Sequence, residues 1–121
     1  EVERKYPDGK LLGLATVKDG KLNGKSIEYY KNGNLKSDGN YKDGKQDGLT
    51  KTYFEDGTIR TEIYYKNGEL DGLAKEYYGN GQVFIQENYK NGELDGESLN
   101  FYKDGSLKGR EFYKNGKLIK N

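Results

Sequence analysis

The chain of 121 residues contains no cysteine, histidine, methionine or tryptophan, and its single proline is Pro7. Without cysteine there are no disulfides or thiolate nucleophiles, and without histidine there is no imidazole base. Zinc sites built on Cys or His are excluded for the same reason. No apolar run approaches the roughly 20 residues of a membrane-spanning helix. The residue types present therefore leave few routes to a catalytic or metal centre, and we expect no cofactor and no bound metal.

Large apolar side chains are also scarce. Hydrophobic residues make up 31% of the chain and charged residues 34%, and the mean hydropathy is -1.14. Such a composition is typical of disordered chains. However, the 12 tyrosines and 4 phenylalanines recur at regular positions, which indicates stacked structural repeats. We therefore predict an ordered protein without a conventional two-layer core. The net charge of +1 argues against nucleic acid as a partner.

Glycine is abundant, and most of it recurs every 24 residues. The recurring positions hold fourteen of the 18 glycines, in three series: Gly24, Gly48, Gly72 and Gly96; Gly9, Gly33, Gly57, Gly81 and Gly105; Gly20, Gly44, Gly68, Gly92 and Gly116. The period predicts one repeat domain over residues 1–121, built from units 1–23, 24–47, 48–71, 72–95 and 96–119. The chain starts at Glu1 rather than methionine, in phase with the repeat. We expect a processed or trimmed piece whose compartment stays open, with an exported or envelope-associated protein favoured over a cytoplasmic one.

Each unit contains two Asn-Gly or Asp-Gly turn signals separated by segments of strand length. Asn-Gly and Asp-Gly are strong hairpin signals, and either a type I′ turn or a type I turn with a bulged glycine fits them. The segments are rich in Tyr, Ile, Leu and Thr, which favour strands. The sequence therefore predicts an all-β, elongated repeat protein, a single-layer antiparallel meander of tandem β-hairpins. About ten strands are expected, near 10–17, 21–30, 34–41, 45–54, 58–65, 69–78, 82–89, 93–102, 106–113 and 117–120.

The turn type decides which side chains share a face of the sheet. With two-residue turns, Tyr30 lies opposite Leu35, and both share a face with Tyr41 and with the small residues Ser26, Thr50, Ala74 and Ser98. The other face then carries Tyr29, Tyr53, Tyr77 and Phe101 among Lys36, Arg60 and Lys108. Bulged turns would change this partition.

The repeated unit resembles the bacterial variant of the MORN repeat. The resemblance is clearest at 72–81, Gly-Leu-Ala-Lys-Glu-Tyr-Tyr-Gly-Asn-Gly, and at 89–96, Tyr-Lys-Asn-Gly-Glu-Leu-Asp-Gly. It extends over nearly the whole chain. The resemblance implies consecutive hairpins in one twisted sheet and a role in protein interaction or assembly. Some eukaryotic members of the family are associated with phospholipid, and some bacterial proteins with the variant repeat are grouped as antitoxins. The resemblance therefore also implies these two possible roles.

Four other motifs have some features of a functional site. The lysines at repeat spacing beside tyrosines could hold a polyanion, but acidic rows compensate them, and exposed turns explain them better. Segment 43–48 has the look of a calcium loop but places Lys45 at a ligand position. The Gly79-Asn80-Gly81 turn lacks the rest of a dinucleotide fingerprint. The chain has enough carboxylates to form a catalytic pair of the glycosidase kind. However, these carboxylates recur with the repeat, and no single unit is chemically distinct. The lysine row comprises Lys18, Lys42, Lys66, Lys90 and Lys114.

The aromatic rows and one departure from the repeat are the best candidates for an interaction surface. Tyrosine offers large area with a polar tip, which suits interfaces, although one row is expected to serve packing within the sheet. In unit 72–95, Phe84 stands where other units have a lysine or arginine, and Ile85 stands where they have a small residue. Together with Val83, these two residues suggest an apolar patch. The predicted interaction surface comprises Tyr29, Tyr53, Tyr77, Phe101, Val83, Phe84 and Ile85.

From these observations we predict a non-catalytic module that binds a protein partner or acts as a scaffold through its extended sheet. Two alternatives stay open. One is a module that binds a phospholipid, a polyanion or the surface of the cell envelope. The other is an antitoxin-like partner that neutralises a toxin. The edge strands of an open meander could also pair to form a homodimer.

Overall fold

The computed structural model describes residues 1–120, with the side chain of Lys120 left aside, and places them in one antiparallel sheet. Residue 121, the last of the predicted domain, lies outside the described residues. None of the described residues belongs to a helix that could span a membrane. The strands are β1 (Val2–Lys5), β2 (Leu11–Lys18), β3 (Lys21–Tyr29), β4 (Leu35–Lys42), β5 (Lys45–Gln46), β6 (Gly48–Tyr53), β7 (Ile59–Lys66), β8 (Glu69–Tyr77), β9 (Val83–Lys90), β10 (Glu93–Phe101), β11 (Leu107–Lys114) and β12 (Lys117–Lys120).

The strands follow one another across the sheet in chain order, except that β5 lies off this path: both β5 and β6 pair with β4. The predicted all-β antiparallel meander is confirmed, with 12 strands in place of about ten. One extra strand is β1, which pairs with β2. The other arises because the predicted strand 45–54 divides at Asp47 into β5 and β6. There the Asp47 N–H donates to the Asn40 carbonyl at 2.9 Å, just before Gly48 with φ 107°.

The two turns of each unit have different geometries. In the first turn, the Gly33 N–H donates to the Tyr30 carbonyl at 2.9 Å, and the Tyr30 N–H donates to the Asn34 carbonyl at 2.8 Å. Only Gly33 there has positive φ, 90°, which is a type I turn with a bulged glycine. In the second turn, Asp43 and Gly44 both have positive φ, 50° and 83°, as a type I′ turn requires. Both geometries left open by the sequence occur, one after the other.

The bulged first turn changes which residues share a face. Tyr29, not Tyr30, lies opposite Leu35, so the assignment of Leu35 to the face of Tyr30 was wrong. The register shift after Glu28 also moves Lys36 to the side of Tyr30, where the Lys36 Nζ lies 5.6 Å from the ring centroid. The assignment of Lys36 to the face of Tyr29 was therefore wrong too. Arg60 stacks on Phe54 and Lys108 on Tyr102 in the same way.

Two faces follow from the register, because residues directly opposite each other point to the same side. One face runs through the mutually opposed Ala15, Ser26 and Gly39, and we call it the small-residue face. The small residues along this row are buried: Ala15 is 7% exposed, and Ser98, further along the same row, is 4% exposed. The opposite side carries Tyr29 and its equivalents, and we call it the stripe face. The described residues thus pack in a single layer rather than around an enclosed core.

Tyrosine hydroxyls connect three pairs of successive units. Tyr6 donates to the Tyr29 carbonyl at 2.7 Å, Tyr30 to the Tyr53 carbonyl at 2.6 Å, and Tyr78 to the Phe101 carbonyl at 2.7 Å. Each of these bonds spans 23 residues. We call them the tyrosine clasps. They give this aromatic row a role in holding the repeats together.

Phe54 occupies the clasp position of its unit but has no hydroxyl. A hydroxyl there would face the Tyr77 carbonyl, as the other clasps do in their units. Phe54→Tyr should therefore add a clasp and raise the free energy of unfolding by about 0.5–1.5 kcal/mol. Urea denaturation of the variant and the parent measures the change. Tyr30→Phe is the matched control, because it removes an existing clasp and should lower stability by a similar amount. Equal midpoints for Phe54→Tyr and the parent would contradict the clasp.

Candidate functional site

A continuous apolar stripe runs across the stripe face near the first turns. It alternates aromatic and aliphatic side chains from successive strands, because each aromatic residue that ends a strand lies opposite the aliphatic residue that begins the next one. From β3 to β11 the stripe crosses seven strand spacings, about 34 Å. We call this set the apolar stripe, and its members are Tyr29, Leu35, Tyr53, Ile59, Tyr77, Val83, Phe101 and Leu107.

Seven members of the apolar stripe are half-buried rather than enclosed, and the eighth, Leu107, is exposed, at 47%. Each aromatic ring therefore keeps part of its surface open while its backbone is fixed in the sheet. A hollow at one end of the stripe is lined by Leu11, Tyr29, Tyr30 and the turn that follows them. Large aromatic area held by a rigid backbone is a feature of protein interfaces, because little side-chain entropy is lost on binding.

Charged residues flank the apolar stripe as opposite pairs. Lys25 Nζ lies 3.1 Å from Asp38 Oδ1, and Arg110 Nε lies 3.0 Å from Glu97 Oε2. These pairs are partly exposed, so each is worth no more than about 1 kcal/mol. Their main effect is to leave the stripe face nearly neutral beside the aromatic rings.

Tyr77 is held in place by a carboxylate. Its hydroxyl donates to Glu62 on the neighbouring strand β7. Burial, and then the hydrogen bond and negative charge of Glu62, raise the pKa of Tyr77 to about 12. The hydroxyl of Tyr77 stays protonated and is already bonded to Glu62 before any partner arrives.

The structure brings together five of the seven residues of the predicted interaction surface. Tyr29, Tyr53, Tyr77, Phe101 and Val83 all belong to the apolar stripe. The other two predicted residues, Phe84 and Ile85, lie on the small-residue face.

The register shift between Glu76 and Tyr77 divides the predicted patch of Val83, Phe84 and Ile85 between the faces. Val83 lies opposite Tyr77, and Ile85 lies opposite Glu76. Phe84 packs on Tyr78 with ring centroids 4.8 Å apart and an interplanar angle of 49°. It takes the place that Lys36, Arg60 and Lys108 occupy in other units.

Sequence reasoning missed three of the four aliphatic members of the apolar stripe, namely Leu35, Ile59 and Leu107. The signal was present in the turn, where a bulged glycine adds one residue and brings the residue six positions after the aromatic one directly opposite it. Reading the first turn as two residues hid this pairing.

The remaining motifs take part in turns and edges. The calcium-like segment 43–48 begins with the type I′ turn between β4 and β5, and Gly79-Asn80-Gly81 lies in a bulged turn. Among the residues described, no group of three or more acidic side chains is placed to hold a metal ion. The lysine row is exposed and follows the second-turn edge, at the ends of β2, β4, β7, β9 and β11.

The repeat of the sheet has a counterpart among known protein families. The model of the MORN repeat variant matches residues 22–43, 46–67, 70–91 and 94–115. The matched segments begin 24 residues apart, at the same spacing as the hairpin pairs of the sheet. No curated protein sequence matches the chain.

Proposed function

The chain belongs to the MORN repeat variant family, whose repeats are commonly non-catalytic binding modules, and from this premise we propose that it binds a protein partner through the apolar stripe. The observation that carries the proposal is the stripe itself, an unbroken line of half-buried aromatic and aliphatic side chains about 34 Å long. A line of this length and shape matches an extended segment or a helix of a partner better than a small molecule.

The energetics of the sheet also favour this use. The hydroxyls of Tyr6, Tyr30 and Tyr78, on the face opposite the apolar stripe, are already used in the tyrosine clasps. The aromatic rings of the apolar stripe, in contrast, have open surface, and covering apolar surface stabilises a complex by roughly 25 cal/mol per Å² before the costs of association. The repeats thus divide their aromatic residues between internal packing and an outward surface.

Peptides selected from a random displayed library on the immobilised protein provide the test, because they report where binding energy concentrates without assuming a partner. Tyr53→Ala and Phe101→Ala should each weaken the selected peptides about tenfold, which corresponds to about 1.4 kcal/mol. The matched control is Tyr65→Ala, since Tyr65 is also a half-buried tyrosine in a strand but lies on the small-residue face. Titration calorimetry measures the affinities.

The outcome that would contradict the proposal is a set of peptides that tolerate both stripe variants yet lose binding with Tyr65→Ala. Amide resonance shifts in two-dimensional NMR spectra provide an independent map of the bound surface. Shifts confined to the small-residue face would likewise contradict the apolar stripe as the binding surface.

The lysine row supports a second proposal, binding to an anionic surface such as phospholipid or another polyanion. Its five exposed cations lie along one edge at the repeat spacing of about 10 Å. Binding of this kind weakens steeply as salt is raised. Co-sedimentation with vesicles rich in phosphatidylglycerol, at low and at high salt, tests it, and absence of binding at low salt would remove it.

A further inference from the structure

The small-residue face contains one hollow that departs from the repeat. It has a volume of about 200 Å³, and its apolar lining comes from Ile63, Leu70, Ala74, Ile85 and Tyr89. Ile63 and Ile85 are the largest aliphatic side chains in their respective rows of the repeat, where other units have alanine, glycine, serine, threonine or glutamate. The repeat pattern alone therefore does not produce this hollow.

Three carboxylates lie on the same face around the hollow. Glu76 and Glu87 line it, and Glu111 lies two strands from Glu87, because both are opposite Ser98. The ion pairs found among the described residues involve other carboxylates. The three charges are therefore not compensated by a neighbouring cation in this part of the chain.

Neighbouring tyrosines bond to these carboxylates without neutralising them. Tyr89 donates to Glu87 Oε1 at 3.2 Å, and Tyr113 donates to Glu111 Oε1 at 3.1 Å. Burial, followed by Glu87, raises the pKa of Tyr89, and the hydrogen bond to Glu111 is the first cause that raises the pKa of Tyr113. Both hydroxyls therefore stay neutral and bring no positive charge to this surface.

The cations of this face lie elsewhere. Lys36, Arg60 and Lys108 stack on aromatic rings of their own units, and in unit 72–95 the equivalent residue is Phe84, which packs on Tyr78. The unit with the apolar hollow is thus also the one that replaces the stacked cation by a phenylalanine. Apolar surface and uncompensated negative charge coincide at one place.

We propose that this surface is a second docking site, distinct from the apolar stripe, for an extended protein segment that presents an apolar side chain flanked by lysine or arginine. The apolar side chain enters the hollow, and the cations pair with Glu76, Glu87 and Glu111. From β8 to β11 these carboxylates span three strand spacings, about 14 Å, or roughly four to five residues of extended chain. Nucleic acids and anionic lipids are repelled by the same charges.

A short peptide of alternating lysine and leucine is the probe, with the alternating glutamate–leucine peptide as its counterpart. Fluorescence anisotropy measures binding to the intact chain at low and high salt, and two-dimensional NMR locates it. The Glu76→Gln/Glu87→Gln variant should weaken the lysine–leucine peptide at least about tenfold. Ile85→Ser, which places at the hollow the residue that the repeat has at Ser37, should weaken it as well.

Two controls separate this site from the apolar stripe. Glu97→Gln removes one negative charge on the stripe face and should leave the affinity within about twofold. Tyr53→Ala disrupts the stripe and should likewise leave the lysine–leucine peptide unaffected, so the two sites can fail independently. Unchanged amide spectra away from the substitutions confirm that each variant is folded.

The proposal requires the lysine–leucine peptide to bind more weakly as salt rises and to shift the amide resonances of Ile85 and Glu87. It is overturned by any of four results: no binding at millimolar peptide, equal binding of the glutamate–leucine peptide, unchanged affinity in the Gln variant, or resonance shifts confined to the stripe face.

Discussion

Replacing Tyr78 by alanine is expected to lower the free energy of unfolding by about 2–3 kcal/mol, since the substitution removes two contacts at once. The hydroxyl of Tyr78 clasps the Phe101 carbonyl at 2.7 Å, and its ring packs on Phe84 at 4.8 Å between centroids. The carbonyl of Phe101 loses a partner in a half-buried setting, which adds a cost of its own. Urea denaturation followed by circular dichroism measures the loss.

Two further variants make this prediction sharp. Tyr78→Phe removes the hydroxyl alone and should cost about 1 kcal/mol, which separates the clasp from the ring contact. Tyr102→Ala is the matched control, because Tyr102 occupies the same position of its unit but is 50% exposed, with only Lys108 stacked on it. That substitution should cost less than about 1 kcal/mol. Equal losses for Tyr78→Ala and Tyr102→Ala would show that the clasps do not hold the repeats together.

The loss should also be local. In a sheet where each unit contacts only its neighbours, stability is approximately a sum of unit and interface contributions. Amide hydrogen exchange in Tyr78→Ala should therefore accelerate most in β8, β9 and β10. Uniform acceleration across the sheet would instead indicate that the repeats unfold as one cooperative block.

Replacing Gly72 by alanine is expected to cost about 1–3 kcal/mol through backbone strain alone. Gly72 has a φ of 111°, and a Cβ built on it would lie 3.5 Å from the Tyr64 Cβ. Space for the methyl group therefore exists, but the conformation is one that residues with a Cβ rarely adopt. The position cannot relax easily, because the register shifts here between the pairs Ile63–Ala74 and Tyr65–Leu70.

Gly79→Ala is the control for this prediction. Gly79 lies seven positions further along the same unit, has no positive φ, and a Cβ there would meet nothing within 4 Å. Alanine should be neutral or raise stability by up to about 1 kcal/mol, because it restricts the unfolded chain. Thermal and urea denaturation of both variants gives the comparison. Similar losses for the two would mean that the bulge at Gly72 tolerates a side chain, which the strain argument does not allow.

The glycines show which structural features could be predicted from the sequence. All fourteen glycines at the repeating positions have positive φ, and the other four, Gly13, Gly39, Gly79 and Gly109, do not. The 24-residue spacing thus selected the backbone positions that need glycine, because only those conformations require the absence of a Cβ. Strand positions and antiparallel order followed from the same spacing, since short turns leave antiparallel neighbours as the only arrangement.

The faces illustrate where that reasoning stops. Asn-Gly and Asp-Gly are compatible with two turn geometries that differ by one residue, and a shift of one residue moves a side chain to the other face. The first turn is bulged and the second is not, although both carry the same dipeptides. Leu35 and Lys36 consequently exchange faces relative to the prediction, and the patch of Val83, Phe84 and Ile85 is divided.

The sequence by itself therefore determined the repeat, the all-β meander and the positions of the turns, because these depend on local backbone preferences that recur every 24 residues. Only the tertiary structure decided which side chains stand together. The apolar stripe, the tyrosine clasps and the hollow at Ile85 all depend on register between strands. Register depends on the geometry of each turn and on the strand pairing beside it, and the dipeptide at the turn leaves that geometry open.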